Sequence, residues 1–220
     1  MKPMITAHSG CSGTPANSME YIEKACQLPI AALELDIRCR FGGELLLTHD
    51  PIADAPLVRL EDAFAYLSDK KIKINCDLKE YDLEDSVLKV ADRCGVDRDR
   101  IIFTGSVTDA KVFMQAHKGV CVMINPEELI PDFYAELPKA KEETMRSLLS
   151  ICKESGYTAI NVNFRVMDDG LFAMCDDAGI AVSAWTVDQE EDIRRLCEKQ
   201  VVNITTNHPE MALEILAAYD

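Results

Sequence analysis

Short apolar runs alternate with amphipathic stretches along the whole chain, and each kind occurs eight times. The apolar runs, read as strands, lie at residues 4–8, 31–38, 71–78, 101–104, 120–125, 158–163, 180–186 and 202–206. The helical patterns lie at residues 18–27, 60–68, 83–94, 108–117, 141–154, 168–178, 189–199 and 209–218. Continuously apolar strands are those covered on both faces, as in a parallel sheet flanked by helices. Ser18 and Asp168 suit helix N-caps, Gly156 and Gly179 follow helices, and Pro209 suits a first helical position. Eight strand–helix units at about 27 residues each fit a (β/α)8 TIM barrel, an α/β fold usually built from roughly 250 residues. An open doubly wound sheet is the alternative, but the turn after the first run, His8-Ser9-Gly10-Cys11-Ser12-Gly13, lacks the G-x-G-x-x-G spacing. After the second run, Phe41-Gly42-Gly43-Glu44 reads as a short hairpin turn leading into Leu45-Leu46-Leu47 and His49-Asp50.

With 220 residues and no Pro/Ser-rich or charge-rich linker, the chain is expected to form a single domain. The net charge of -15 opposes binding to nucleic acid or to anionic lipid, leaving a small molecule as the expected partner. The opening segment lacks the long apolar stretch of a signal peptide, and no later run reaches the length of a membrane span, so a cytoplasmic location is expected. Nine scattered cysteines without a C-x-x-C pair read as reduced thiols rather than disulfides or a zinc site. Outer helices of a barrel are amphipathic with or without a partner subunit, so oligomeric state stays open.

In such barrels the C-terminal strand ends carry the chemistry. Here the first strand ends in His8, the second carries Glu34-Leu35-Asp36, the hairpin ends in Thr48-His49-Asp50, and the third carries Asp77-Leu78-Lys79. Alternation along a strand turns Glu34 and Asp36 the same way, and likewise Asp77 and Lys79. Carboxylates about 4 Å apart at an effective dielectric near 20 repel by on the order of 4 kcal/mol per pair, so they must bind a cation or take up protons. An all-oxygen set suits Mg2+, Ca2+ or Mn2+ better than zinc. The competing reading is an ordinary ion-pair network with Arg38, Arg40 and Lys79. His117, at a helix end, reads as structural, and His208 has no evident role.

These segments resemble the glycerophosphodiester phosphodiesterases. Ile5-Thr6-Ala7-His8 and Pro15-Ala16-Asn17-Ser18 are similar to that family's opening His-Arg-Gly and Pro-Glu-Asn-Thr motifs. Glu34-Leu35-Asp36, Thr48-His49-Asp50, Asn75-Cys76-Asp77-Leu78-Lys79, Trp185-Thr186-Val187-Asp188 and Thr206-Asn207-His208-Pro209 fit its later blocks. The resemblance implies metal-dependent phosphodiester hydrolysis, with Glu34, Asp36 and Asp77 holding the metal and His8 and His49 as general acid and base. It also implies that Lys79 meets a phosphate oxygen and that Trp185 lines the substrate pocket. Four positions depart from the family pattern: Ser9 replaces the arginine after the first histidine, Ala16 a glutamate, and Asp77 a glutamate, while only residues 51–58 stand where the family usually inserts a subdomain. A lost bidentate clamp of that kind costs about 1.5 to 3 kcal/mol unless Arg38 or the metal compensates. A catalytically silent relative that binds a metal or an anionic phosphate compound is the first competing reading, and another barrel enzyme, an aldolase or sugar-phosphate isomerase, is the second.

Overall fold

Each of the eight apolar runs is a strand in the computed structural model, which describes residues 2–52 and 55–219. In chain order the strands are Met4–Ala7 (β1), Ala32–Arg40 (β2), Glu44–Leu47 (β3), Lys73–Leu78 (β4), Ile101–Gly105 (β5), Cys121–Val122 (β6), Ala159–Asn163 (β7), Ala181–Trp185 (β8) and Asn203–Thr206 (β9). The helices are Met19–Ala25 (α1), Leu60–Leu67 (α2), Glu84–Cys94 (α3), Ala110–Ala116 (α4), Pro126–Leu129 (α5), Phe133–Glu136 (α6), Lys141–Ser155 (α7), Asp169–Ala178 (α8), Glu190–Glu198 (α9) and Pro209–Ala217 (α10). Eight parallel strands follow the order β6-β5-β4-β2-β1-β9-β8-β7, and a parallel bridge between Ile124 and Ile160 joins the two ends into a ring. This is the expected TIM barrel.

Local signals act as the sequence suggests. Ser18 Oγ accepts a hydrogen bond from the Tyr21 amide at 3.0 Å, and Asp168 Oδ1 accepts from Leu171 at 3.0 Å. Gly156 and Gly179 end α7 and α8 with left-handed backbones, at φ 78° and 69°. The hairpin forms as expected: β3 pairs antiparallel with β2 from Arg40 opposite Glu44 to Ile37 opposite Leu47. Gly42 and Gly43 take φ of 103° and 91° in its turn, where a side chain is disfavoured. Helices α5 and α6 were not expected. In the short segment after the hairpin, residues 53 and 54 lie outside the described residues.

Outward positions of the strands, among them Leu33, Leu35, Ile74, Cys76, Phe103, Val162 and Ile204, pack on the helices in the main core. Inside the barrel a separate apolar layer of Ile102, Met123 and Ala159, flanked by Met4, Cys121 and Ala181, forms a floor. Beyond the floor the inward positions turn polar, two residues further along at Thr6, Thr104, Asn161 and Ser183, and Asn75 and Asn203 are buried with them. The expectation of continuously apolar strands therefore holds for the outer face and fails for the inner one. All nine cysteines are free, and no described helix is long and apolar enough to cross a membrane.

Candidate active site

The polar layer opens at the C-terminal strand ends into a cavity of about 380 Å3 lined by His8, Glu34, Asp36, His49, Asp77, Lys79 and Trp185. All seven residues singled out from the sequence thus meet in one place. The β2–β4 register sets Asp36 beside Asp77 and Glu34 beside Asn75. One carboxylate oxygen from each of Glu34, Asp36 and Asp77 lies within 4.8 Å of the others.

Each acid is held differently. Asp36, only 2% exposed, accepts from Asn17 Nδ2 at 2.7 Å, Ser9 Oγ at 2.8 Å and Lys79 Nζ at 2.9 Å. Burial pushes its carboxyl upward, but Lys79 and the hydrogen bonds outweigh burial and hold it below the usual range. Asp77 accepts from Thr104 Oγ1 at 2.9 Å and pairs with the Lys79 ammonium. Glu34 is placed through its backbone: the buried Tyr21 hydroxyl accepts from the Glu34 amide at 3.1 Å and reaches the carbonyls of Ala7 at 2.8 Å and Glu34 at 2.9 Å. Burial, reinforced by Asp77 and Asp36, raises the Glu34 carboxyl well above the ordinary carboxylate range, with Lys79 opposing.

Desolvation disfavours the Lys79 cation, yet Asp77 and Asp36 outweigh it and raise its pKa above the ordinary lysine value. Three carboxylates around one ammonium leave two formal negative charges, which a divalent cation balances. The all-oxygen donors fit a hard ion such as Mg2+ or Ca2+. The ion-pair alternative accounts for Lys79 alone, since Arg38 pairs with Glu80 and Arg40 with Glu44. Nor does Arg38 replace the missing arginine: its guanidinium binds the carbonyls of His49 at 3.0 Å and Lys79 at 3.4 Å, outside the cavity wall.

His8 lines the cavity with a buried Nδ1, while His49 is exposed and sets Nδ1 3.1 Å from Asp50 Oδ1. Among the described residues three buried side-chain polar atoms lack a hydrogen-bond partner: His8 Nδ1, Trp185 Nε1 and Glu127 Oε2. All three residues line this cavity, which is the pattern of a site built for a polar ligand. His117, outside this cavity, sets Nε2 3.1 Å from Asp85 Oδ1.

Sequence reading missed Glu127, Asn125, Asn161, Asn75, Thr104, Thr186 and Thr205, which complete the lining. For Asn75, Thr104, Asn161 and Thr205 the available signal was an amide or hydroxyl inside an otherwise apolar strand, a group that requires a partner once buried; Glu127, on α5, offered none of that kind. Asn17 and Tyr21 were missed as groups that position Asp36 and Glu34.

Comparison with known proteins finds similarity over most of the chain. Residues 49–211 match the model of the Glycerophosphoryl diester phosphodiesterase family, a span that includes His49, Asp77, Lys79 and Trp185 and begins after His8, Glu34 and Asp36. A glycerophosphodiester phosphodiesterase of Caldanaerobacter subterraneus subsp. tengcongensis is 20% identical over 263 residues, covering 98% of each chain. A candidate glycerophosphoryl diester phosphodiesterase of Agrobacterium tumefaciens superposes with a TM-score of 0.83 at 15% identity over 100% of this chain and 99% of that one. An Oleispira antarctica phosphodiesterase in complex with the product sn-glycerol-3-phosphate gives a TM-score of 0.75 at 17% identity, covering 98% of this chain and 97% of that one.

Proposed function

The chain belongs to the glycerophosphoryl diester phosphodiesterase family, whose members hydrolyse phosphoric diester bonds, and from that membership we propose a divalent-cation-dependent hydrolysis of a glycerophosphodiester to glycerol phosphate and an alcohol. The observation that carries this reading is the meeting of two histidines, three carboxylates and one lysine in a single cavity. In it, Glu34, Asp36 and Asp77 would hold Mg2+ or Ca2+, with Mn2+ a chemically similar occupant. An ion held there would supply Lewis-acid stabilisation of the negative charge that develops on the phosphate.

The remaining work falls to the chain's own groups. One histidine takes a proton from the nucleophile, and the other returns one to the leaving alkoxide. With Nδ1 of His49 beside Asp50, its Nε2 is the nitrogen free to exchange a proton. Lys79 stays protonated at neutral pH and meets a phosphate oxygen. Trp185 contributes an indole face and an unpaired Nε1–H to the substrate wall. In this reading the whole chain serves one barrel domain, acts on a small molecule, and works in the cytoplasm, where nine free thiols are stable.

A second reading is favoured by Ser9. Its hydroxyl is engaged with Asp36, none of the described residues lining the cavity is an arginine, and a weak or silent relative that binds phosphate compounds fits the same walls. Release of alcohol from a glycerophosphodiester with Mg2+ or Ca2+ separates the two. Hydrolysis that falls about 10² to 10⁴-fold in both His8→Ala and His49→Ala supports the first. Binding of glycerol phosphate without alcohol release at any cation concentration supports the second, and equal rates in wild type and both variants overturn the acid–base assignment.

A further inference from the structure

Glu127 belongs to the cavity wall but not to the three-acid cluster. It sits on α5, two residues after the N-cap Asn125, and its Oε2 is buried without a partner. Its other oxygen ends a continuous row of hydrogen bonds that crosses the barrel interior. Thr6 Oγ1 donates to Asn203 Oδ1 at 2.6 Å, and Asn203 Nδ2 donates to Ser183 Oγ at 3.0 Å. Ser183 Oγ then donates to Asn161 Oδ1 at 2.8 Å, and Asn161 Nδ2 to Asn125 Oδ1 at 2.9 Å. Finally, Asn125 Nδ2 donates to Glu127 Oε1 at 3.5 Å.

Every link points the same way. Each amide spends its oxygen on the preceding donor and its nitrogen on the next acceptor, which leaves Glu127 as the terminal acceptor of the row. A buried carboxylate oxygen with no donor is costly, so Oε2 is matched to a donor that arrives with the ligand. That donor cannot be a phosphodiester, which carries only acceptors and a negative charge. It must come from the alcohol portion.

We propose that Glu127 is a specificity-determining residue that reads O–H or N–H donors on the alcohol portion of the substrate, a polyol or a primary ammonium, and discriminates against a quaternary ammonium. A quaternary ammonium offers no hydrogen-bond donor and is usually recognised by an aromatic cage. Among the described lining residues the aromatic rings are Trp185 and the imidazoles of His8 and His49, which do not make one. Ser183 and Asn203, which lie behind the cavity wall, act on the ligand only through Glu127, as positioning residues.

The inference rests on the phosphodiesterase reading for the phosphate, and binding separates the two. Calorimetric titrations of the Mg2+-loaded protein use glycerol phosphate, phosphoethanolamine and phosphocholine, which share a phosphate and differ in the alcohol. Wild type is expected to bind the first two about tenfold or more tightly than phosphocholine. Glu127→Ala removes that preference. Glu127→Gln, isosteric and still an acceptor, keeps the preference for glycerol phosphate and loses the one for phosphoethanolamine, which separates hydroxyl from ammonium recognition. No preference in wild type, or a preference intact in Glu127→Ala, overturns the proposal. Intact binding order with no turnover of the diesters counts against hydrolysis and leaves this specificity standing.

Discussion

Gly105 passes so close to Asp77 that a β-carbon placed on it falls 2.6 Å from Asp77 Oδ1 and 2.2 Å from the carbonyl oxygen of Leu78. The same residue has φ of 76°, a backbone region that side chains disfavour. Gly105→Ala is therefore expected to destabilise the protein by about 2 to 4 kcal/mol and to displace Asp77. Chemical denaturation reads the first effect, and Mg2+ titration of the folded fraction reads the second as weakened binding. Wild-type stability in this variant would contradict the close approach.

The raised pKa of Glu34 makes it a liability whenever the cation is absent. A carboxyl that holds its proton more tightly in the folded state contributes stability that is present below the ordinary value of 4.5 and is lost as pH rises through the folded pKa. Metal-free wild type should thus lose stability relative to Glu34→Gln as pH rises above the ordinary carboxyl value of 4.5, with the gap closing toward that pH. Adding Mg2+ to about 100 times its Kd should stabilise wild type by about 2.7 kcal/mol and leave the variant unmoved. Melting curves with chelator and with Mg2+, across pH, test both halves.

Asp36 has the opposite sign. Its pKa is held low by Lys79, Asn17 and Ser9 against burial, so its contribution is present above the ordinary value of 3.8 and is lost as pH falls through the folded value. Asn17 donates to the Asp36 carboxylate at 2.7 Å and accepts from its amide at 3.0 Å. The backbone of Asn17 has φ of 54°, so Asn17→Gly removes both bonds without adding strain. This variant is expected to lose about 1 to 3 kcal/mol at pH 7, with a smaller deficit in acid, and to bind Mg2+ more weakly. A deficit unchanged between pH 7 and pH 3 would show that the bonds act on something other than the charge of Asp36.

The eight strands and their helices were legible because alternation of period leaves a repeated trace, and the hairpin because Gly42-Gly43 announces its turn. His8, Glu34, Asp36, His49 and Asp77 stood out because charged groups at apolar strand ends are conspicuous. The segment from Asn125 to Ala140 gave no periodic signal: Pro126, Pro131 and Pro138 break it into single turns, and α5 and α6 are too short to show a face. That segment carries Glu127. The inner polar row was hidden for another reason, since Asn161, Ser183 and Asn203 each sit alone between apolar neighbours. The β7–β8–β9 register sets them side by side, and the ring closure adds Asn125.

That closure is also the thinnest part of the ring. Where β2 and β4 share a ladder from Ala32 to Ile37, the seam beside Asn125 rests on the Ile124 amide bonded to Ala159 at 3.2 Å and the Asn161 amide bonded to Ile124 at 2.8 Å. Solvent deuterons should reach these two amides sooner than those of β2, because fewer bonds must break together to expose them. If those amides exchange first, the wall that carries Glu127 is the more readily opened side of the cavity, and the acids on β2 and β4 sit on the firmer side opposite the seam.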